Sequence, residues 1–324
     1  MEVFHNIDIT QPLPKHLKGG VIAIGNFDGI HCGHHAILQH AINIADGAPT
    51  IVLLFNPHPR TILKPDIPVF TLIPQSVQPK ILKNMGLSAL IRYHFTAQMA
   101  DYSADTFVQK ILVEWLEAKQ VITGNQFRFG KNRSGDKNFL QRSGKEYGFS
   151  SIFVDELRDD SCQIISSSRI RQALNGGKVK EASQMLGYHF TVESEVVHGK
   201  KLGRKLGFPT ANMKLTSAMS LKEGVYTIRF RTPDNKSYCG IANFGRSPTI
   251  TQNGPLLLES FLFNFSKEIY GQICTVSFFD FLRSEIKCQD LDELKEYMRA
   301  DERKAHELLA KDSPLSDRDL LICF

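Results

Sequence analysis

The chain changes texture once, near Gly187, and that change limits its fold more than any other feature of the sequence. Before it, short apolar runs alternate with amphipathic ones. GGVIAIGNF, APTIVLLF, LSALIRYHF and QVITG read as buried strands; HHAILQHAINIAD, SVQPKILKNMG and SADTFVQKILVEWLEAK read as helices between them. Strands joined by helical crossovers predict right-handed βαβ units and a parallel sheet. SSSRIRQALNGGKVKEASQMLG adds two short helices joined at NGG. After Gly187, HFTVESEVVHG, GVYTIRFRT, SYCGIANFG, LLLESFLFNF and QICTVSFFDFLR follow one another with turn residues and no helix between them. That pattern predicts an antiparallel barrel or sandwich. DLDELKEYMRADERKAHELLAK then closes the chain as a long amphipathic helix. A chain of 324 residues exceeds one ordinary core. The expected architecture is α/β plus β, an α/β domain over 1–185 and an antiparallel β domain, barrel or sandwich, with the long helix over 186–324.

Composition narrows the function. Apolar residues at 42% and charged residues at 23% are the balance of a chain with a packed core. A net charge of +5 suits anionic ligands such as phosphates, while the cations are too scattered for the basic stripe of a nucleic-acid binder. Cys32, Cys162, Cys239, Cys274, Cys288 and Cys323 form no CxxC and match no zinc spacing, so they read as reduced thiols. Runs such as IVLLF are far short of a membrane span, and MEVFHNIDIT carries acidic residues where a secretory leader is basic. These features predict a cytoplasmic protein with no nucleic-acid and no membrane partner.

The stretch IGNFDGIHCGHHAIL, Ile24 to Leu38, passes from a strand through a glycine-rich turn into a helix. Such a turn presents backbone N–H groups at a helix N-terminus, where the dipole favours an anion. Gly29 and Gly33 allow a phosphate close to the backbone. His31 and His34 lie three apart and share one face of the first turn, where imidazoles can hydrogen-bond phosphate oxygens. His35 and His40 read as packing or surface residues. No Walker A pattern occurs. FNPHPR places His58 and Arg60 in a proline-bracketed segment past a strand end, which reads either as a grip on a second phosphate-bearing substrate or as a stiff loop. In ISSSRIR, Ser167, Ser168 and Arg171 read either as triphosphate donors or as a capped helix with solvated arginines.

HCGH resembles the HxGH signature of the nucleotidyltransferase superfamily. FNPHPR, GNQFRFG and ISSSRIR follow it in the order and spacing of bacterial FAD synthetases. Ser168 stands where that family usually has threonine, and Gln126 where it has Asp or Asn. The resemblance implies a Rossmann-like domain in which His31 and His34 stabilise attack on the α-phosphorus of ATP, with Arg171 on the phosphates. It places Gly25, Phe27, Asp28, Gly29, Gly33, Gln126, Ser167 and Ser168 around the nucleotide, and Asn56, His58, Pro59 and Arg60 against the flavin substrate.

In the second half, GRKLGFPTAN combines a glycine-flexed loop, a proline-fixed turn, and the hard oxygen donors Thr210 and Asn212, which suit Mg²⁺ and phosphate. GFPTAN closely resembles the riboflavin kinase signature. GIANFGRSPTI and LESFLFNFSKEIYG resemble that family's next motifs, and FLRSEIKCQDLDELKEYMRAD its flavin-side segment and helix. Cys288 stands where the family often has phenylalanine, and Asn264 where it often has aspartate. The resemblance implies ATP contacts from Gly203, Arg204, Gly207 and Pro209, a metal held by Thr210 and Asn212, Glu259 as base, and Arg283 on the flavin. Strand alternation alone leaves Glu259 open as a solvent-facing residue, because PLLL hides which face is inward.

Together the motifs identify the chain as a member of the bacterial bifunctional riboflavin kinase/FAD synthetase family. The resemblance implies phosphorylation of riboflavin to FMN, then adenylylation of FMN to FAD with release of pyrophosphate. It implies a β-barrel for the second domain, ATP as co-substrate, Mg²⁺ in both steps, and a monomer or weak homo-oligomer. Three readings stand against it: a kinase with a lapsed adenylyltransferase site, an adenylyltransferase for another mononucleotide, and a module that binds flavin without turnover. Intact His31, Gly33, His34 and Arg171 oppose the first, and a fused FMN-making kinase opposes the second. Product release from ATP separates the third.

Overall fold

The computed structural model describes residues 1–199, 208–246 and 255–324. The chain forms two compact units, the first of residues 1–69 and 75–165, the second of residues 70–74 and 166–324.

The first unit is built on β1 (Glu2–Ile7), β2 (Val21–Ile24), β3 (Thr50–Asn56), β4 (Ala89–His94), β5 (Gln120–Gly124) and β6 (Ser150–Val154). They form one sheet in the order β1-β4-β3-β2-β5-β6, with parallel pairing throughout. The four expected strands are its centre. VIAI of β2 is buried at every position, as a strand covered on both faces must be. The edge strand β1 escaped the sequence reading because EVFHNI lacks a continuous apolar run. The helices of this unit are α1 (Cys32–Asn43), α2 (Pro59–Leu63), α3 (Val77–Asn84), α4 (Ala97–Ala100), α5 (Ala104–Phe107) and α6 (Lys137–Tyr147). The expected long helix after α5 continues as a π-helix over Val108–Trp115. Ile22, Leu53, Ile91, Val108, Leu112 and Val121 form part of its core.

The second unit begins with α7 (Ser167–Asn175) and α8 (Val179–Leu186). Six strands follow: β7 (Thr191–Val197), β8 (Thr210–Leu215), β9 (Gly224–Arg231), β10 (Ser237–Arg246), β11 (Leu256–Leu262) and β12 (Ile273–Arg283). They close into an antiparallel barrel, β10-β11-β8-β7-β12-β9, which leaves no open edge. Met213, Ile228, Phe230, Phe244, Leu258 and Phe278 are fully buried. A long helix (Leu291–Ala310) and a short one (Asp317–Cys323) end the chain. Asp319 fastens the short one. Its carboxylate accepts the His189 backbone N–H at 2.8 Å and faces His189 Nδ1 at 2.8 Å. Burial alone would raise its pKa, but the hydrogen bonds from His189 and Leu315 outweigh that and hold it low. Among the described residues, no helix is long and apolar enough to cross a membrane.

Candidate functional site

In the first unit the strand order reverses around β2, whose neighbours are β3 on one side and β5 on the other. Because all three strands are parallel, the chain leaves them at the same sheet edge. The turn after β2, the NPHPR segment after β3 and Gln126 after β5 therefore share the carboxyl edge at the switch point, where open α/β sheets bind ligands.

The turn is tightly bent. Gly29 has φ +84°, and the bulky residues Phe27 and Ile30 also take positive φ, 44° and 38°. Both are almost fully buried, so packing holds a backbone that is costly for side chains of that size. Asp28 is buried in the same turn, and a methyl group at Gly25 would sit 3.2 Å from the Phe27 ring. The bend ends at His31, the N-cap of α1, whose Nδ1 accepts the His34 backbone N–H at 3.3 Å. A ring nitrogen that accepts carries no proton, so in the neutral ring the His31 proton is on Nε2. Gly33 leaves room for the cap: a methyl group there would stand 3.2 Å from the His31 ring.

The His34 ring stacks on His31 at 3.6 Å between centroids and meets the edge of Phe27 at 5.3 Å. Its Nδ1 is buried without a hydrogen-bond partner among the described residues. Desolvation, with the neighbouring His31 as the lesser cause, holds the His34 pKa well below 6.5. His34 is therefore neutral at pH 7 and rests beside a helix N-terminus as an uncharged ring. A pair of stacked imidazoles at that end can donate to phosphate oxygens and gain charge as an anion arrives.

Past β3, the Asn56–Pro57 peptide is cis, and the Asn56 amide donates to Asn6 of β1 at 2.7 Å. His58 caps α2 by accepting the Arg60 N–H at 3.1 Å, Pro59 occupies its first position, and the Arg60 side chain is exposed. Gln126 is exposed in the loop beyond β5.

Ser167, Ser168 and Arg171 belong to the second unit. The capping hydroxyl of α7 is that of Ser166, which accepts the Arg169 N–H at 3.3 Å; Ser167 and Ser168 follow it within the first turn. The Arg171 guanidinium reaches Phe70 O from Nε at 3.0 Å and from Nη2 at 2.5 Å, and Ser167 O from Nη1 at 3.3 Å.

On the barrel, Gly203, Arg204 and Gly207 lie outside the described residues, and Pro209 is exposed just before β8. Register brings the remaining residues together. Glu259 on β11 stands directly opposite Asn212 on β8 and, on its other side, opposite Asn243 on β10. Asn243 is in turn opposite Val225 on β9, and Val225 opposite Arg283 on β12. Directly opposed residues share a face, so these side chains form one row across five strands. Leu258 and Ser260, the neighbours of Glu259, are buried inside the barrel, which puts the row on its outer surface. The row joins positions 212, 243, 259 and 283, which a linear sequence keeps apart.

Three polar members of the row have special settings. Asn212 is 5% exposed, donates Nδ2 to Thr210 O at 3.3 Å, and keeps a buried Oδ1 with no partner among the described residues. Asn243 donates Nδ2 to Glu285 at 2.9 Å and likewise keeps a buried, unpartnered Oδ1. Arg283 makes a two-pronged pair with Asp301 of the long C-terminal helix, at 2.8 Å from Nη2 and 3.0 Å from Nε, with the Tyr297 ring 5.5 Å from its guanidinium carbon. The sequence reading assigned no role to Asn243 or Glu285. The only signal was an asparagine inside the apolar strand GIANFG.

Two family models match successive parts of the chain. The FAD synthetase family model matches residues 13–169, and the riboflavin kinase model matches residues 186–309. A bifunctional riboflavin kinase/FMN adenylyltransferase of Haemophilus influenzae is 37% identical over 88% of this chain and 92% of its own. One from Escherichia coli (strain K12) is 34% identical over 97% of this chain and 100% of its own. A crystal structure of a Streptococcus pneumoniae protein, described as a macrolide-efflux protein, shares the fold at TM-score 0.82 and 28% identity, covering 94% of this chain and 99% of that one.

Proposed function

The chain belongs to the bifunctional riboflavin kinase/FMN adenylyltransferase family, and on that premise we propose how its residues divide the two reactions. It phosphorylates riboflavin to FMN with ATP, and it transfers the adenylyl group of a second ATP to FMN, giving FAD and pyrophosphate.

The barrel carries the first reaction. Glu259 accepts the proton of the terminal ribityl hydroxyl as its oxygen attacks the γ-phosphorus, and ADP leaves. Phosphoryl transfer asks for little beyond positioning, charge neutralisation and that base. The buried, unpartnered Oδ1 of Asn212 and the hydroxyl of Thr210, two residues apart on one strand face, are hard donors that fit Mg²⁺. When bound, Mg²⁺ neutralises phosphate charge. Gly203, Arg204, Gly207 and Pro209 complete the ATP contacts, and Arg283 marks the flavin end of the row.

The α/β unit carries the second. An FMN phosphate oxygen attacks the α-phosphorus of ATP, and the bond to the β-phosphate oxygen breaks. His31 and His34 donate to the oxygens on which charge develops, the α1 N-terminus adds its dipole, and Gly25, Phe27, Asp28, Gly29, Gly33 and Gln126 shape the nucleotide seat. Asn56, His58, Pro59 and Arg60 face FMN. Phosphate is itself a competent nucleophile, so no covalent enzyme intermediate is needed. Both reactions take place in the cytoplasm, in a monomer or weak homo-oligomer.

The observation that carries this division is the register of Glu259 with Asn212 on the barrel, in a different unit from the histidine pair. Its test is a chromatographic product assay with Mg²⁺ and ATP, riboflavin in one tube and FMN in the other. FMN from the first and FAD from the second are expected. FMN without FAD would indicate a lapsed α/β site, with Gln126 the first residue to examine. Bound flavin without product would indicate a binding module.

A further inference from the structure

The amide orientation of Asn243 is fixed by its neighbour. An ionised carboxylate can only accept, so the side of Asn243 that meets Glu285 at 2.9 Å must be its Nδ2. Its Oδ1 therefore points away from Glu285. That oxygen is buried and has no partner among the described residues. A buried acceptor left unpaired is costly, and it calls for a donor. Glu259, directly across the strand pair, cannot supply one while ionised. No described residue supplies that donor, and a bound ligand can.

The row states which ligand group that is. Asn212 lies on one side of Glu259 and Asn243 on the other. If phosphate and metal occupy the Asn212 side and Glu259 holds the hydroxyl to be phosphorylated, the rest of the acceptor extends toward Asn243, about 4.8 Å away at ordinary strand spacing. In riboflavin that next portion is the ribityl polyol, whose secondary hydroxyls are neutral donors. Beyond Asn243 the row turns apolar at Val225, which is 7% exposed, before reaching Arg283. The sequence of chemistries along the barrel, carboxylate, carboxamide oxygen, apolar surface, matches the order terminal hydroxyl, polyol, aromatic ring. Glu285 itself is seated closely, since a methyl group at Gly245 would run into its carboxylate.

We propose that Asn243, oriented by Glu285, is a substrate-binding residue of the kinase site whose Oδ1 accepts a secondary ribityl hydroxyl of riboflavin. The inference rests on the reading of Glu259 as the base. It gives the barrel a means of selecting a polyol-bearing flavin rather than the ring system alone.

The experiment compares riboflavin with lumiflavin, the same ring system with a methyl group in place of the ribityl chain. Binding of each to the full-length protein is measured for the native chain and for Asn243→Ala. About tenfold weaker riboflavin binding, equal to ~1.4 kcal/mol, is expected, with lumiflavin unchanged. Equal weakening of both ligands, or no change in riboflavin, overturns the proposal. FAD formation from supplied FMN reports on the integrity of the other unit and is expected to persist. If Asn243→Ala does not fold, Asn243→Ser retains an oxygen acceptor at reduced reach, and a smaller but still riboflavin-selective loss is expected; an unselective loss overturns the proposal there. Glu259→Gln separates the premise from the inference. It should bind riboflavin normally and not turn over. If it turns over, the base assignment fails, while the two-ligand comparison still reads Asn243.

Discussion

The imidazoles of His31 and His34 lie stacked at 3.6 Å, with 18° between their planes, and His31 accepts the backbone N–H of His34. The pair is one structure: the ring that caps the helix also covers the ring that follows it. Two consequences can be measured.

The first is a pH dependence of stability. Burial keeps His34 neutral in the folded chain, with a pKa well below 6.5. The unfolded chain takes up that proton near pH 6.5, so below this pH the unfolded state binds more protons and stability falls until the folded pKa is reached. Thermal unfolding between pH 8 and pH 5 should show a steeper loss in the native chain than in His34→Asn. Parallel losses would contradict a neutral, buried His34.

The second concerns the reactions. His31→Ala or His34→Ala should reduce FAD formation by about a hundred- to thousandfold, the scale of losing one donor to a developing charge. FMN formation should be untouched. A folded variant that loses both reactions would refute the separation of the sites.

Glu259→Ala gives the reverse pattern. FMN formation should fall by about a hundred- to ten-thousandfold, the usual contribution of a positioned base. FAD synthesis from supplied FMN should proceed at the native rate. Chromatography of both products from one preparation settles each half.

Gly33→Ala separates geometry from stability. Alanine is favoured over glycine by about 1 kcal/mol in a helix interior and by less in the first turn, where Gly33 lies. The added methyl group would press on the His31 ring, 3.2 Å away. The melting temperature should hold or rise while FAD formation drops by about tenfold. A variant with native activity would show that the His31 position is not critical.

Arg283 is tied to Asp301, whose side chain is 10% exposed. Arg283→Ala leaves that carboxylate nearly buried and uncompensated, at a cost of about 2–3 kcal/mol. Denaturant unfolding of the barrel should register it. Asp301→Asn should raise the KM for riboflavin without changing FAD formation, because it loosens the guanidinium that we assign to the flavin.

The parts of this molecule that sequence exposes are those that repeat at short range. β2, β3, β4 and β5 are legible because their apolar runs are continuous, and His31 and His34 because three residues make one helical face. The β1 strand is not legible, since its burial pattern has no fully buried position. The facing of Glu259 is hidden by the leucines before it; only the burial of its neighbours Leu258 and Ser260 puts it on the outer face. Arg171 shows the same limit from another side. Its guanidinium binds the carbonyl of Phe70, a partner 101 residues earlier that no local pattern announces.

That last bond belongs to a larger feature. Residues 70–74 are counted with the second unit although they interrupt the first. Phe70 supplies the acceptor for Arg171 and an edge-on ring for Phe190 at 5.9 Å. A fragment starting at Ser166 would therefore lack part of its own body, with a guanidinium and an aromatic ring left exposed where Phe70 had been. A single cut between residues 165 and 166 would leave residues 70–74 on the other piece.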